Sequence, residues 1–150
     1  MIRDDQIAKL MGLGALTLLL GALGFQYLAH LAPCEMCHWQ RWPYIAAAGL
    51  ALVSFWKNTR QLALFTIAMV ALSGLIGAYQ TGMQMGILPG PNACTVLHPY
   101  VMGSGAPPPE VSCNAVTWSL FGLSLASYNA IFAFLIAGTG VFLLSRKHEA

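Results

Sequence analysis

The sequence predicts an all-α integral membrane protein: four transmembrane helices in an up-and-down bundle, with a periplasmic loop that carries a short interfacial helix. Three observations carry that prediction. Of the 150 residues, 57% are hydrophobic and only 8% are charged, whereas a soluble domain carries about a quarter charged residues. Four apolar runs approach the ~20 residues that a helix needs to cross the hydrocarbon core. The basic residues stand singly, nearly all in the short polar segments between and beyond those runs. A net charge of +2 without a basic stripe or patch gives no reason to expect a nucleic-acid partner.

The first run, 10–32, follows a polar opening with Arg3, Asp4, Asp5 and Lys9, and its Gly12, Gly14, Gly21 and Gly24 offer small faces for helix packing. It is longer than the apolar region of a signal peptide, and further spans follow it, so it reads as a span rather than a leader. The second span is expected over 37–56. Its apolar part alone is short, so the helix must begin near Met36 or Cys37, with Pro43 tolerated near its first turns. Trp39, Trp42 and Tyr44 read as an interfacial aromatic belt before they read as a wall for a planar ligand. A basic turn at 57–61 leads to the third span, 62–81, whose Ser73, Gly74, Gly77 and Ala78 form a small-residue face.

From 82 to 125 the chain is rich in Gly, Pro and Asn and shows no sustained period, which marks a loop. Within it, 118–125 is apolar with serines and is expected to lie on the membrane surface as a short amphipathic helix. The fourth span, 126–144, ends in Ser145, Arg146, Lys147 and His148. Residues 1–150 read as one four-helix domain, without internal repeat or low-complexity tract.

In this arrangement Arg3, Lys9, Lys57, Arg60, Arg146 and Lys147 share one side, which the positive-inside rule makes cytoplasmic. Arg41 is the one Lys or Arg on the other side, together with all four cysteines. In a bacterium that places a multi-pass protein in the inner membrane, with cytoplasmic termini and periplasmic cysteines, where disulfides form and persist.

Those cysteines are the reactive groups. Cys34 and Cys37 form a Cys-x-x-Cys pair, and Arg41 lies four residues beyond Cys37, on the same face of a helix. A disulfide across two intervening residues removes little chain entropy, so the spacing favours a redox-active pair over a structural one. Cys94 and Cys113 fit either a loop staple or a second redox pair, and four cysteines allow three connectivities. A zinc site built from the four, with His38 or His98, has ligand spacing in only one half and suits an oxidising compartment poorly, so no metal is expected. A haem bridge between His30 and His98 is disfavoured because no span carries a central histidine.

Pro33, Cys34 and Cys37 followed by Arg41 at the head of the second span, with Gly90, Pro91, Cys94 and Cys113 in the last loop, resemble the DsbB family of periplasmic disulfide oxidases over almost the whole chain. The resemblance implies a quinone-dependent thiol oxidase that reoxidises a DsbA-like thioredoxin-fold protein and passes the electrons to ubiquinone or menaquinone in the bilayer. It implies that Cys94 forms the mixed disulfide with that partner and Cys113 resolves it, that Cys34 is the exchanging thiol of the second pair, and that Cys37 faces the quinone with Arg41 beside the ring. Where family members often carry a His and a Glu, this chain has Gln80 and Gln84, neutral amides that cannot shuttle protons. Two other readings are kept: a vitamin K epoxide reductase-like thiol/quinone oxidoreductase, and a non-catalytic membrane scaffold with two structural disulfides. The early position of the Cys-x-x-Cys pair argues against the first.

Overall fold

A computed structural model describes residues 3–91 and 112–146. Four helices run in chain order, α1 over Asp4–Tyr27, α2 over Glu35–Val53, α3 over Arg60–Gln84 and α4 over Leu125–Arg146. Side-chain contacts fix their directions. Gly12 of α1 meets Ala51 of α2 while Arg41 reaches back to Gln26, Gln40 of α2 meets Gln80 of α3, and Gly74 of α3 meets Ala133 of α4. Each helix is therefore antiparallel to the one before it, giving an up-and-down bundle. α1, α3 and α4 are long and apolar enough to cross a membrane. α2 carries Glu35, His38, Gln40 and Arg41 in its first half and is less apolar; its 19 residues amount to about 28 Å of helix.

The helix ends depart from the sequence expectations in ways that local chemistry explains. α1 stops at Tyr27, not near 32, because His30 adopts a left-handed backbone with φ 53° and Pro33 biases the residue before it away from the helical region. α2 starts at Glu35 with Cys34 as its N-cap. Pro43 lies inside that helix rather than in its first turns. At the opposite end of the bundle, Asp5 is buried where Arg3 and Lys9 each pair with it, at 2.9 and 2.8 Å, and its backbone N–H is received by Asn58.

The expected interfacial helix at 118–125 is not what this segment forms. It folds as a two-stranded antiparallel hairpin, β1 over Ser119–Leu120 and β2 over Leu123–Ser124, pairing Ser119 with Ser124 and Leu120 with Leu123. The turn residues Phe121 and Gly122 both have positive φ, 51° and 77°, the conformation that matches the twist of a two-residue hairpin. The Tyr128 hydroxyl donates to the Leu120 carbonyl, and Trp118 stands between Phe25 of α1 and Tyr128 of α4. The hairpin is thereby tied across α1 and α4.

Small residues let the helices approach closely, while Leu13, Leu20, Phe65 and Leu135 face outward, as expected where the surrounding solvent is lipid. A Cβ built on Gly12 would collide with the Ala51 Cβ, whereas one on Gly21 would meet nothing within 4 Å. Gly12→Leu is expected to lower stability in detergent by about 1–3 kcal/mol through overpacking, and Gly21→Leu by much less. Thermal unfolding of the two purified variants checks the contrast.

Candidate functional site

The Cys-x-x-Cys spacing is also the spacing from an N-cap to the third residue of a helix. Here the two coincide: the Cys34 sulfur accepts the backbone N–H of Cys37 at 3.2 Å. Side-chain capping satisfies one of the donors a helix leaves unpaired at its start, so the fold of α2 itself holds the sulfurs near each other. Both are free thiols, Cys34 buried and Cys37 partly exposed. The hydrogen bond from Cys34 to the Cys37 sulfur, followed by burial, raises the Cys34 pKa well above the ordinary thiol range. Cys34 thus stays protonated in the reduced pair and Cys37 is the sulfur that receives its hydrogen bond.

Cys113 is disulfide-bonded and packs in one buried cluster with Cys34, Met36 and Met83. A loop cysteine and the first cysteine of the helical pair are therefore brought together from distant parts of the chain. Cys94, expected to act with Cys113, lies outside the described residues, as does His98.

A cavity of about 380 Å³ opens beside the pair. Cys34, Cys37 and Arg41 line it, as do Gln80 and Gln84 of α3, and the hairpin covers part of it through Trp118 and Leu120. Its aromatic wall is Phe25, Trp118, Tyr128 and Phe132, with successive ring centroids 5.1, 6.1 and 6.3 Å apart. Trp39 and Trp42, considered for that wall in the sequence, do not line it and are exposed. Arg41 donates through Nη1 to Gln26 Oε1 at 2.6 Å, while its Nε is buried without a partner among the described residues, and so is Gln84 Oε1. Among the described residues no group of three or more His, Cys, Asp or Glu could hold a metal.

Sequence reasoning missed a buried polar chain behind the cysteines. Gln80 Nε2 donates to the Cys34 sulfur at 3.2 Å and lies 3.9 Å from the Cys37 sulfur. Gln40 Nε2 donates to Gln80 Oε1 at 2.6 Å, and Asn129 Nδ2 donates to Gln40 Oε1 at 2.7 Å. The available signal was the amides of Gln40, Gln80 and Asn129 on three helices of an apolar bundle, since polar side chains inside membrane spans mark sites more often than filler.

The family model described as disulfide bond formation protein DsbB matches residues 4–143. The chain belongs to the DsbB family. It is 33% identical to disulfide bond formation protein B of Dechloromonas aromatica, over 93% of this chain and 92% of that one. It is 29% identical to the protein of the same name from Aromatoleum aromaticum, over 90% and 91%, and 28% identical to that from Cupriavidus metallidurans, over 85% and 84%. No solved structure matches. Membership in the DsbB family implies a role in disulfide bond formation, and the long apolar helices suit a multi-pass membrane protein.

The protonated, buried Cys34 and the more accessible Cys37 should separate on alkylation. In the reduced protein at pH 7, iodoacetamide is expected to modify Cys37 at least about tenfold faster than Cys34, because the thiolate is the nucleophile. Between pH 7 and 9 the Cys34 rate should stay low, since its raised pKa lies above that window. Mass spectrometry of the singly modified protein reads both rates.

Proposed function

We propose that the chain is a membrane thiol oxidase that reoxidises a DsbA-like periplasmic thioredoxin-fold protein and passes the electrons to a membrane quinone. The observation that carries this reading is the placement of a helix-capping dithiol on the wall of an apolar, aromatic-lined cavity that Arg41 lines as well. α2 is read as a span in addition to α1, α3 and α4, and the end of the bundle holding Arg3, Lys9, Lys57 and Arg60 as cytoplasmic.

The exchange steps balance. The partner's dithiol reduces the Cys94–Cys113 disulfide and becomes a disulfide itself. The Cys94–Cys113 dithiol then reduces a Cys34–Cys37 disulfide, an exchange that the packing of Cys113 against Cys34 favours. Oxidation of Cys34 and Cys37 back to the disulfide releases two electrons and two protons. A bound quinone supplies the acceptor for both.

The residues present fit such a group. Flat aromatic faces suit a planar ring, Arg41 Nε supplies a buried donor, and Gln84 Oε1 an acceptor, neither with a protein partner among the described residues. Arg41, held in place by Gln26, would orient a carbonyl oxygen of the ring and stabilise negative charge developing on it. Cys37, on the same face of α2 one turn earlier, presents its sulfur to the same space.

Quinone reduction by the purified protein supplied with a reduced dithiol partner tests the reading. Wild type should turn over. Arg41→Ala should keep the fold and the Cys113 disulfide, raise the apparent KM for quinone and lower kcat/KM roughly tenfold, the loss of about 1.4 kcal/mol of transition-state stabilisation. Arg41→Lys should lose less if charge matters more than the planar fork. Wild-type rates for Arg41→Ala at limiting quinone would place the ring elsewhere.

The order of the relay has its own test. In Cys113→Ser, Cys94 is left as a lone thiol. Incubated with the oxidised partner, it should attack the partner's disulfide, freeing one partner thiol, and accumulate as a mixed disulfide because no Cys113 thiol remains to displace the partner, seen as a reductant-sensitive band on a non-reducing gel. Capture through Cys34 instead would reverse the order of the two pairs.

A further inference from the structure

The amide behind the cysteines can present either of two faces. With Nε2 toward the sulfurs, Gln80 donates a hydrogen bond; with Oε1 there, it would set lone pairs against them. Gln80 alone does not decide between these, because a glutamine side chain reverses by rotating about its last bond. The choice is made by what its other atom must do, and that question passes from helix to helix.

Gln80 Oε1 receives Gln40 Nε2 at 2.6 Å, so Gln80 keeps Nε2 for sulfur only while Gln40 keeps Nε2 for Gln80. Gln40 does so because its own Oε1 is occupied by Asn129 Nδ2 at 2.7 Å. Asn129 is fixed in turn by groups with no freedom of their own. Its Nδ2 lies 3.4 Å from the Ser73 carbonyl, which can only accept, and 3.5 Å from Ser73 Oγ, whose proton is already given to the Gln40 carbonyl at 2.8 Å. The Tyr44 hydroxyl donates to Asn129 Oδ1 from the other side. Every donor in the row thus points the same way, and the row ends on the sulfurs. Gln40, Gln80, Ser73 and Tyr44 are all buried, and hydrogen bonds in such a row polarise one another.

We propose that Asn129, on α4 and remote in sequence from both cysteines, is a positioning residue that holds the Gln80 amide with its N–H toward the Cys34 and Cys37 sulfurs and so sets the reduction potential of that pair. A donor stabilises the reduced pair, because its Cys37 sulfur, 3.9 Å from Gln80 Nε2, carries more negative charge than a disulfide sulfur. It therefore makes the pair easier to reduce and a better oxidant for the loop cysteines. The inference rests on the redox role proposed above for Cys34 and Cys37.

Two substitutions at Asn129 test it in the full-length protein. Asn129→Leu removes the donor that fixes Gln40. Asn129→Asp keeps the shape and the acceptor for Tyr44 but offers oxygen where Gln40 needs a donor, which favours reversal of both glutamines. The Cys34–Cys37 pair is equilibrated with glutathione buffers and its reduced fraction is read by alkylation and mass spectrometry. Helix content and the Cys113 disulfide serve as folding controls. Both variants should make the pair about tenfold harder to reduce, equal to about 30 mV for a two-electron couple, and Gln80→Leu should do the same. If Gln80→Leu shifts the equilibrium while a folded Asn129→Asp leaves it at the wild-type value, Asn129 only packs the helices and the inference fails. If neither shifts it, the amide row has no bearing on the sulfurs and the inference fails too. A wild-type pair that does not exchange with glutathione or quinone at all would instead overturn the redox reading on which the inference stands.

Discussion

Polar side chains in the interior of an apolar bundle have no water to fall back on, so each must find its partner inside the protein. An unpaired buried amide costs ~1–3 kcal/mol by mutational measure. Gln40, Gln80 and Asn129 come from three helices and satisfy one another. Their bonds fix the relative height of α2, α3 and α4 more sharply than apolar contact can, because sliding a helix by one turn would leave several donors and acceptors unpaired at once. The sulfurs of Cys34 and Cys37 sit at the end of that row. Bundle register and site geometry are therefore one constraint.

Close approach makes the row reachable. A short amide side chain spans only a few ångströms, and Asn129 meets Gln40 because the helices pack through small residues. Gly77 lies against Ala126, Asn129 and Ala130, and Gly74 against Ala133. The glycines that read in the sequence as generic packing faces serve the chemistry indirectly, since larger residues there would push α4 away from α2. On the other side of the bundle the contact is looser. α1 and α4 are bridged near the cysteine end by the hairpin and its aromatic contacts, and the cavity lies beneath them.

How legible each feature was follows from how local its cause is. The apolar runs announce helices because burial in lipid acts on each run alone, whereas the end of α1 and the start of α2 are set by single residues, the left-handed His30 and the Cys34 cap, that an apolar pattern does not mark. The thiols were legible because their reactivity belongs to the residue type and the spacing. The hairpin was hidden in Leu120, Phe121, Gly122 and Leu123, an apolar stretch equally compatible with a surface helix until Trp118 and Tyr128 anchor it. The amide row was hidden for a different reason. Asn129 and Gln40 are 89 residues apart, and no property of either, taken singly, says that the other lies across from it.

The same row bears on the protons. Gln80 and Gln84 stand where the family resemblance puts a titratable side chain, and neither has a proton that titrates. Gln80 is committed at both ends, to the sulfurs and to Gln40, so it serves as a fixed dipole. In the proposed reaction this does not leave the stoichiometry short. Over the whole relay the partner's two thiols become a disulfide and give up two protons with their two electrons, the same number that a quinone takes up on becoming a quinol. What the site must then do is keep those protons close to the acceptor. An apolar cavity partly covered by Trp118 and Leu120, with Gln84 Oε1 as an acceptor without a protein partner among the described residues, suits that task better than an open, hydrated one would.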